Sequence, residues 1–133
     1  MIKTHTAPYA AMLLRMTLGL LFLAHVGIKI FIFTIPGFVG FIASIGVPAI
    51  LGYAVIALEL IGGIALVLGI YTSWAALLLA AEMLAIVFVH APNGFLFGNP
   101  NGGWEYPALW FVALVVVFLL GDGAWALKPQ PRP

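Results

Sequence analysis

Four long apolar runs, separated by short segments rich in glycine, proline or polar residues, dominate the sequence. They extend over about residues 9–33, 48–69, 73–90 and 105–121. Runs of this length match the roughly 20 residues that a helix needs to cross the hydrocarbon core of a bilayer. We therefore predict an all-α membrane protein whose single domain is a four-transmembrane-helix bundle.

The segments between and after these runs complete the predicted architecture. Residues 34–46 are also apolar, but Pro36 and several glycines interrupt them and they are too short to span a bilayer. We predict a short re-entrant or interfacial segment there, after the first helix. Only residues 70–72 separate the second and third runs, so we predict a tight hairpin between these two helices. Residues 122–133 carry three prolines in their last five positions, and we expect them to form a disordered cytoplasmic tail.

Composition supports a bilayer as the solvent and excludes several classes of function. Hydrophobic residues make up 65% of the chain and the mean hydropathy is +1.22, whereas soluble domains are about 45 to 50% apolar. The absence of cysteine excludes disulfides, thiol catalysis and cysteine-ligated iron–sulfur clusters within this chain. A net charge of +1 without a basic run gives no basis for binding nucleic acid.

Basic residues outside the apolar runs indicate the orientation of the chain. They are Lys3 near the start and Lys128 and Arg132 near the end, and the three connecting segments contain none. Because positive residues accumulate on the cytoplasmic side of membrane proteins, we predict that both termini are cytoplasmic.

Ionisable side chains within or at the edge of the apolar runs are the candidates for function. Each charge in hydrocarbon costs at least about 2.5 to 3.5 kcal/mol, so such residues must face one another or perform a task. Helical spacing places those of the first run within an arc of about 80°. Seven residues share this setting: Arg15, His25, Lys29, Glu59, Glu82, His90 and Glu105.

Depth along the helices divides these residues into two predicted groups. The first is an intramembrane polar cluster near the middle of the bundle, formed by Arg15, Glu59 and Glu82. The second lies under the outer loops and supplies ligand-binding candidates, namely His25, Lys29, His90, Trp104 and Glu105. No metal site is predicted, because the Glu-x-x-His spacing of carboxylate-bridged metal bundles is absent, and no catalytic residue is assigned.

Structural alternatives remain open for most of these residues. Arg15 with a glutamate forms either a structural ion pair or part of a proton or ligand path. Lys29 either binds a ligand or extends its ammonium group to the membrane surface. His90 either binds a ligand or bonds to the backbone of the following loop. Glu105 either contributes to the site or interacts with the dipole of the fourth helix.

Five short segments of the sequence form a recognisable pattern. They are LRMTLGLLFLAH at 14–25 with Lys29 four residues on, ELIGG at 59–63, VHAPNGF at 89–95, GGWEYP at 102–107 and GDGAWAL at 121–127. In their order and spacing these segments resemble the DoxX family of small bacterial membrane proteins. Two departures from the family's pattern are a glycine displaced to Gly27 and Lys128 in place of an acidic residue.

The resemblance implies a multi-pass protein of the bacterial inner membrane and the membrane subunit of an oxidoreductase assembly. Relatives are similar to a subunit of thiosulfate:quinone oxidoreductase, and others are linked to redox or sulfur stress. A quinone is then the candidate cofactor, and the expected partners are membrane lipid, soluble redox proteins and a second copy of the chain. The polar cluster would bind a quinone or lipid headgroup and relay protons. The alternatives are a non-redox module that binds or transports a small molecule or lipid, and a structural membrane anchor for soluble partners.

Overall fold

The computed structural model describes residue 1 and residues 3–131, and the helices of this part of the chain confirm the all-α prediction. A π-helical turn, Ile28–Ile32, continues the first helix, and a 3₁₀ turn, Ala91–Asn93, follows the fourth. No strand occurs among these residues, where pairing is limited to one bridge between Ile70 and Lys128. The five α-helices are α1 (Ala7–Gly27), α2 (Ile35–Ser44), α3 (Ile50–Leu68), α4 (Thr72–His90) and α5 (Glu105–Leu120).

Three of the helical segments are long and apolar enough to cross a membrane. They are Ala7–Ile32, Ile50–Leu68 and Thr72–Asn93. Helix α5, with 16 residues, and α2, with 10, are shorter apolar helices. The helices start and end within two residues of most of the predicted run boundaries, because prolines and glycines interrupt the apolar pattern there.

Helices α1 and α3 approach each other closely through two glycines. A Cβ atom on Gly19 would lie 2.8 Å from the carbonyl oxygen of Gly63, and a Cβ on Gly63 would lie 3.1 Å from that of Gly19. Small residues permit this kind of backbone contact between membrane helices. Helices α4 and α5 form the other extensive pair, and the core lies between the two pairs, centred on Phe22, Leu66, Leu79, Leu114 and Val117.

The start of α1, the segment after α5 and the α3–α4 turn meet at one end of the bundle, which we call the terminal end. The amide of Ala124 donates to the carbonyl of Pro8 at 2.8 Å, and the amide of Lys128 donates to that of Gly69 at 3.1 Å. Residues 122–131 therefore follow a defined path, which corrects the prediction of a disordered tail for this segment. Residues 132 and 133 lie outside the described residues. Helix α2 and the α4–α5 loop lie at the opposite end, the loop end.

Candidate functional site

The ion pair between Lys29 and Glu59 is the central feature of the loop half of the bundle. The Nζ atom of Lys29 lies 2.6 Å from Oε2 of Glu59, and the side chains are 13% and 4% exposed. Helical side chains lean towards the N-terminus of their helix. Since α1 and α3 run in opposite directions, Lys29 leans back into the bundle while Glu59 leans towards the loop end, and the two side chains meet.

Arg15 lies away from this ion pair, so the predicted cluster of Arg15, Glu59 and Glu82 is not formed. Its side chain leans towards the start of α1 at the terminal end, where α3 finishes. The residue is 1% exposed, and among the described residues no carboxylate lies within ion-pair distance of it. Its guanidinium instead donates hydrogen bonds of 2.7 to 2.9 Å to four backbone carbonyls, those of Leu66, Val67, Asp122 and Ala124.

Two of these bonds use the partial negative charge at the end of α3. Leu66 and Val67 are in its last turn, whereas Asp122 and Ala124 lie in the segment after α5. Carbonyl groups at a helix C-terminus have no partner within the helix and favour a nearby cation. The role of Arg15 in the structure is therefore to join α1, α3 and the segment after α5.

Glu82 lies near Glu59 in the interior of the bundle. Both of its carboxyl oxygens are buried, and neither has a hydrogen-bond partner among the described residues. The carboxyl group lies within electrostatic reach of Glu59 and Lys29. Lys29 thus occupies the position beside the two glutamates that the sequence interpretation assigned to Arg15.

An open cavity of about 750 Å³ lies at the loop end and is reached by the Lys29–Glu59 pair. Its walls come from all five α-helices, the π-helical turn and the α4–α5 loop. The cavity therefore forms only when the whole bundle is packed. Of the predicted outer group, His25, Lys29 and His90 line it, whereas Trp104 and Glu105 do not. The aromatic side chains of the wall are Phe38, Phe41, Phe97, Tyr106 and Trp110.

The two histidines of the cavity use the same ring nitrogen to bond to the backbone. Nδ1 of His25 lies 2.9 Å from the carbonyl oxygen of Leu21, and Nδ1 of His90 lies 3.1 Å from that of Gly102. A carbonyl oxygen only accepts, so Nδ1 carries the proton in both rings. His90 therefore both bonds to the loop backbone and lines the cavity.

Trp104 and Glu105 shape the loop next to the cavity. The Trp104 ring packs edge-on against Phe95 at 4.9 Å between centroids, and the Glu105 amide donates to the Phe95 carbonyl at 3.1 Å. Both residues therefore hold the α4–α5 loop against the start of α5.

Sequence reasoning missed the aromatic wall contributed by α5. Trp110 packs edge-on against His25, with 5.0 Å between centroids, and Tyr106 lies one turn earlier on the same helix. Their i, i+4 spacing places them on one face of α5 and is the signal that could have identified them. Phe38 of α2 was also not assigned to the site, although its ring centroid lies 5.3 Å from Nζ of Lys29.

Comparison with known proteins identifies the family of this bundle. The sequence profile of the DoxX family matches residues 10–91. The chain belongs to the DoxX family. DoxX proteins are small membrane proteins, and the long apolar helices of this chain agree with that description. The matched region contains His25, Lys29, Glu59 and His90, whereas the aromatic wall from α5 lies beyond it.

Two curated relatives match nearly the full length of this DoxX protein. An uncharacterized protein of Haemophilus influenzae is 34% identical over 122 residues, which cover 90% of this chain and 89% of the relative. A Bacillus subtilis protein named "Putative oxidoreductase CatD" is 31% identical over 119 residues, which cover 89% of this chain and 84% of the relative. No solved structure matches this chain.

Proposed function

We propose that this DoxX protein is the membrane subunit of a quinone-linked oxidoreductase in the bacterial cytoplasmic membrane, and that its cavity binds the quinone ring. The observation that carries the proposal is the convergence of the Lys29–Glu59 pair and two histidines on one aromatic-lined cavity. The name of the Bacillus subtilis relative points in the same direction.

The size and lining of the cavity suit a ring with polar substituents. A volume of about 750 Å³ is within the range of roughly 300 to 1,000 Å³ that small-molecule sites occupy. Phe38, Phe41 and Trp110 offer apolar surfaces for a ring and its hydrocarbon tail, while Lys29 and the imidazoles offer hydrogen bonds. Because the chain contains no cysteine, electrons exchanged with the ring would pass to or from a soluble redox partner.

Glu82 is the proposed proton carrier of this site. An ionised carboxylate with no hydrogen-bond partner is costly in an apolar interior, so the two buried oxygens of Glu82 are suited to holding a proton. Glu59 connects Glu82 with the cavity. It lines the cavity, pairs with Lys29 and interacts electrostatically with Glu82. Protons exchanged with a quinone would pass through these two carboxyl groups.

The proposal includes a membrane arrangement with four spans. Helix α5 lies along α4, and its 16 residues correspond to about 24 Å of length, close to the roughly 30 Å of a hydrocarbon core. Helix α2 would then be the re-entrant or interfacial segment, lying over the cavity with Phe41 among its lining residues. Lys3 and Lys128 at the terminal end support cytoplasmic termini.

An inventory of quinones and lipids bound to the purified protein tests this function. Phe41→Ala removes a ring from the cavity wall, and Phe31→Ala removes an equally apolar ring that lies outside the cavity and is 83% exposed. We expect bound quinone in the wild-type protein and in Phe31→Ala, and a clear loss in Phe41→Ala. A redox difference spectrum on adding soluble partner fractions should show reduction or oxidation of that quinone.

Other outcomes of the inventory would support the competing functions. A specific lipid or small molecule in place of a quinone would identify a non-redox binding or transport module. A cavity that retains nothing, together with stable capture of soluble proteins, would identify a structural anchor. Equal quinone content in Phe41→Ala and in the wild type would show that the quinone binds elsewhere.

A further inference from the structure

We propose that the cavity prefers the reduced form of its ligand, a neutral aromatic diol whose hydroxyl groups donate hydrogen bonds to Nε2 of His25 and Nε2 of His90. This inference rests on the proposed quinone site and adds the redox form that the site selects. The carrying observation is that both imidazoles at the cavity already use Nδ1–H on a backbone carbonyl.

Fixing the proton on Nδ1 leaves Nε2 of each neutral ring as an acceptor. Neither Nε2 atom has a hydrogen-bond partner among the described residues, and Nε2 of His90 is not buried. Both rings line the cavity, so each offers an acceptor to which a ligand can donate. A hydroxyl group donates to such a nitrogen, whereas a quinone carbonyl only accepts and would leave both nitrogens unpaired.

Lys29 is compatible with a hydroxyl group as well. Its ammonium has three N–H bonds, and one of them is directed to Glu59 at 2.6 Å. The remaining N–H groups can donate to a hydroxyl oxygen that itself donates to an imidazole. A diol thus satisfies both the donor and the acceptors of the cavity, while a quinone satisfies only the donor.

The charge of the site favours a neutral ligand over an anionic headgroup. Among the described residues, Lys29 is the only lysine or arginine that lines the cavity, and Glu59 already neutralises it. A phosphate or sulfur oxyanion would compete with Glu59 for this ammonium and would also face the two imidazole lone pairs. Like-charge contact and unpaired acceptors both weaken such binding.

The preference has a measurable size. An unmatched hydrogen-bonding group costs enough to change a binding constant by about tenfold. Tenfold tighter binding of the reduced form raises the two-electron reduction potential of the bound couple by about 30 mV. We therefore expect decylubiquinol to bind at least about tenfold more tightly than decylubiquinone.

The test measures anaerobic binding of decylubiquinol and decylubiquinone to the full chain in phosphatidylcholine nanodiscs. In His→Asn the amide nitrogen takes the place of Nδ1 and keeps the bond to the backbone, but the acceptor is lost. In His→Gln the amide oxygen can take the place of Nε2, so the acceptor is kept. We expect the Asn variants of His25 and His90 to lose the preference for the diol and the Gln variants to retain most of it.

Nitrogen-15 NMR of the imidazoles provides a second readout that does not depend on the ligand. We expect both rings to be protonated on Nδ1 and to show a hydrogen bond at Nε2 when decylubiquinol is added. Equal binding of the two forms, tighter binding of decylubiquinone, or protonation on Nε2 in the ligand-free protein would overturn the inference and leave the quinone site intact. Failure of both forms to bind would overturn the proposed function together with the inference.

Discussion

The ammonium group of Lys29 contacts the carboxylate of Glu59 at 2.6 Å, and this contact ties the π-helical turn after α1 to the middle of α3. Both side chains are almost fully enclosed, so each compensates the charge of the other in surroundings that would not tolerate it alone. The pair also borders the cavity. A single ion pair therefore serves the packing of the bundle and the polarity of the candidate site.

Breaking the Lys29–Glu59 pair should destabilise the protein more than removing it entirely. Lys29→Met leaves a buried carboxylate, and Glu59→Gln leaves a buried ammonium, so we expect each to lower the free energy of unfolding by about 3 kcal/mol. The double variant should cost clearly less than the sum. Denaturant unfolding in mixed micelles measures the cycle, with Lys3→Met at an exposed position as the control. Additive losses would show that the two charges do not interact.

Replacing Arg15 should release the segment that follows α5. Arg15→Leu leaves four carbonyls without their donor, at about 1 kcal/mol or more for each that stays buried. Arg15→Lys has only three donors on a single nitrogen and should be nearly as destabilising. Hydrogen exchange at the amides of Leu127 and Lys128 measures the release, because both bond to the end of α3. Unchanged exchange in Arg15→Leu would show that the segment is held by other contacts.

The crossing of α1 and α3 should tolerate no side chain at Gly19. A Cβ there would lie 2.8 Å from a backbone oxygen and a Val67 methyl, so Gly19→Ala must push the helices apart at a cost of about 1 to 3 kcal/mol. Gly27→Ala on the same helix meets nothing within 4 Å and should be neutral or stabilising by about 0.5 to 1 kcal/mol. Melting temperatures of the two variants provide the comparison. Equal melting temperatures would mean that the helices can separate without loss.

Single cysteines should show which parts of the protein share a side of the membrane. The chain has no native cysteine, so each introduced thiol is the only target. Thiols at Thr4 and Pro129, both at the terminal end, should label from the cytoplasm, and a thiol at Asn101 in the α4–α5 loop should label from outside. The measurement is labelling by an impermeant maleimide in cells and in inverted vesicles. Labelling of Thr4 and Asn101 from the same side would exclude the four-span arrangement.

Apolar run length alone determined the helical class and most helix boundaries of this protein. A backbone buried in hydrocarbon must satisfy its own hydrogen bonds, and a long apolar run has a helix as its simplest solution. Helical spacing also places Gly52, Gly62 and Gly63 on the same stripe of α3 as Glu59, which indicates close backbone packing there, and Glu59 is 3% exposed in the structure. These features depend on neighbours within one helix, so periodicity reveals them.

Pairing of the charged residues depended on the tertiary structure. Helical spacing gives the direction of a side chain around its axis, but it does not say which end of the bundle the charged group reaches. Arg15 reaches the end of α3 and the segment after α5 because that segment folds back there, and Lys29 reaches Glu59 because α1 and α3 are antiparallel. The cavity likewise needs walls from segments as distant as Leu21 and Trp110. Contacts between residues so far apart in sequence arise only when the helices pack. The pattern of residues within one helix therefore cannot predict them.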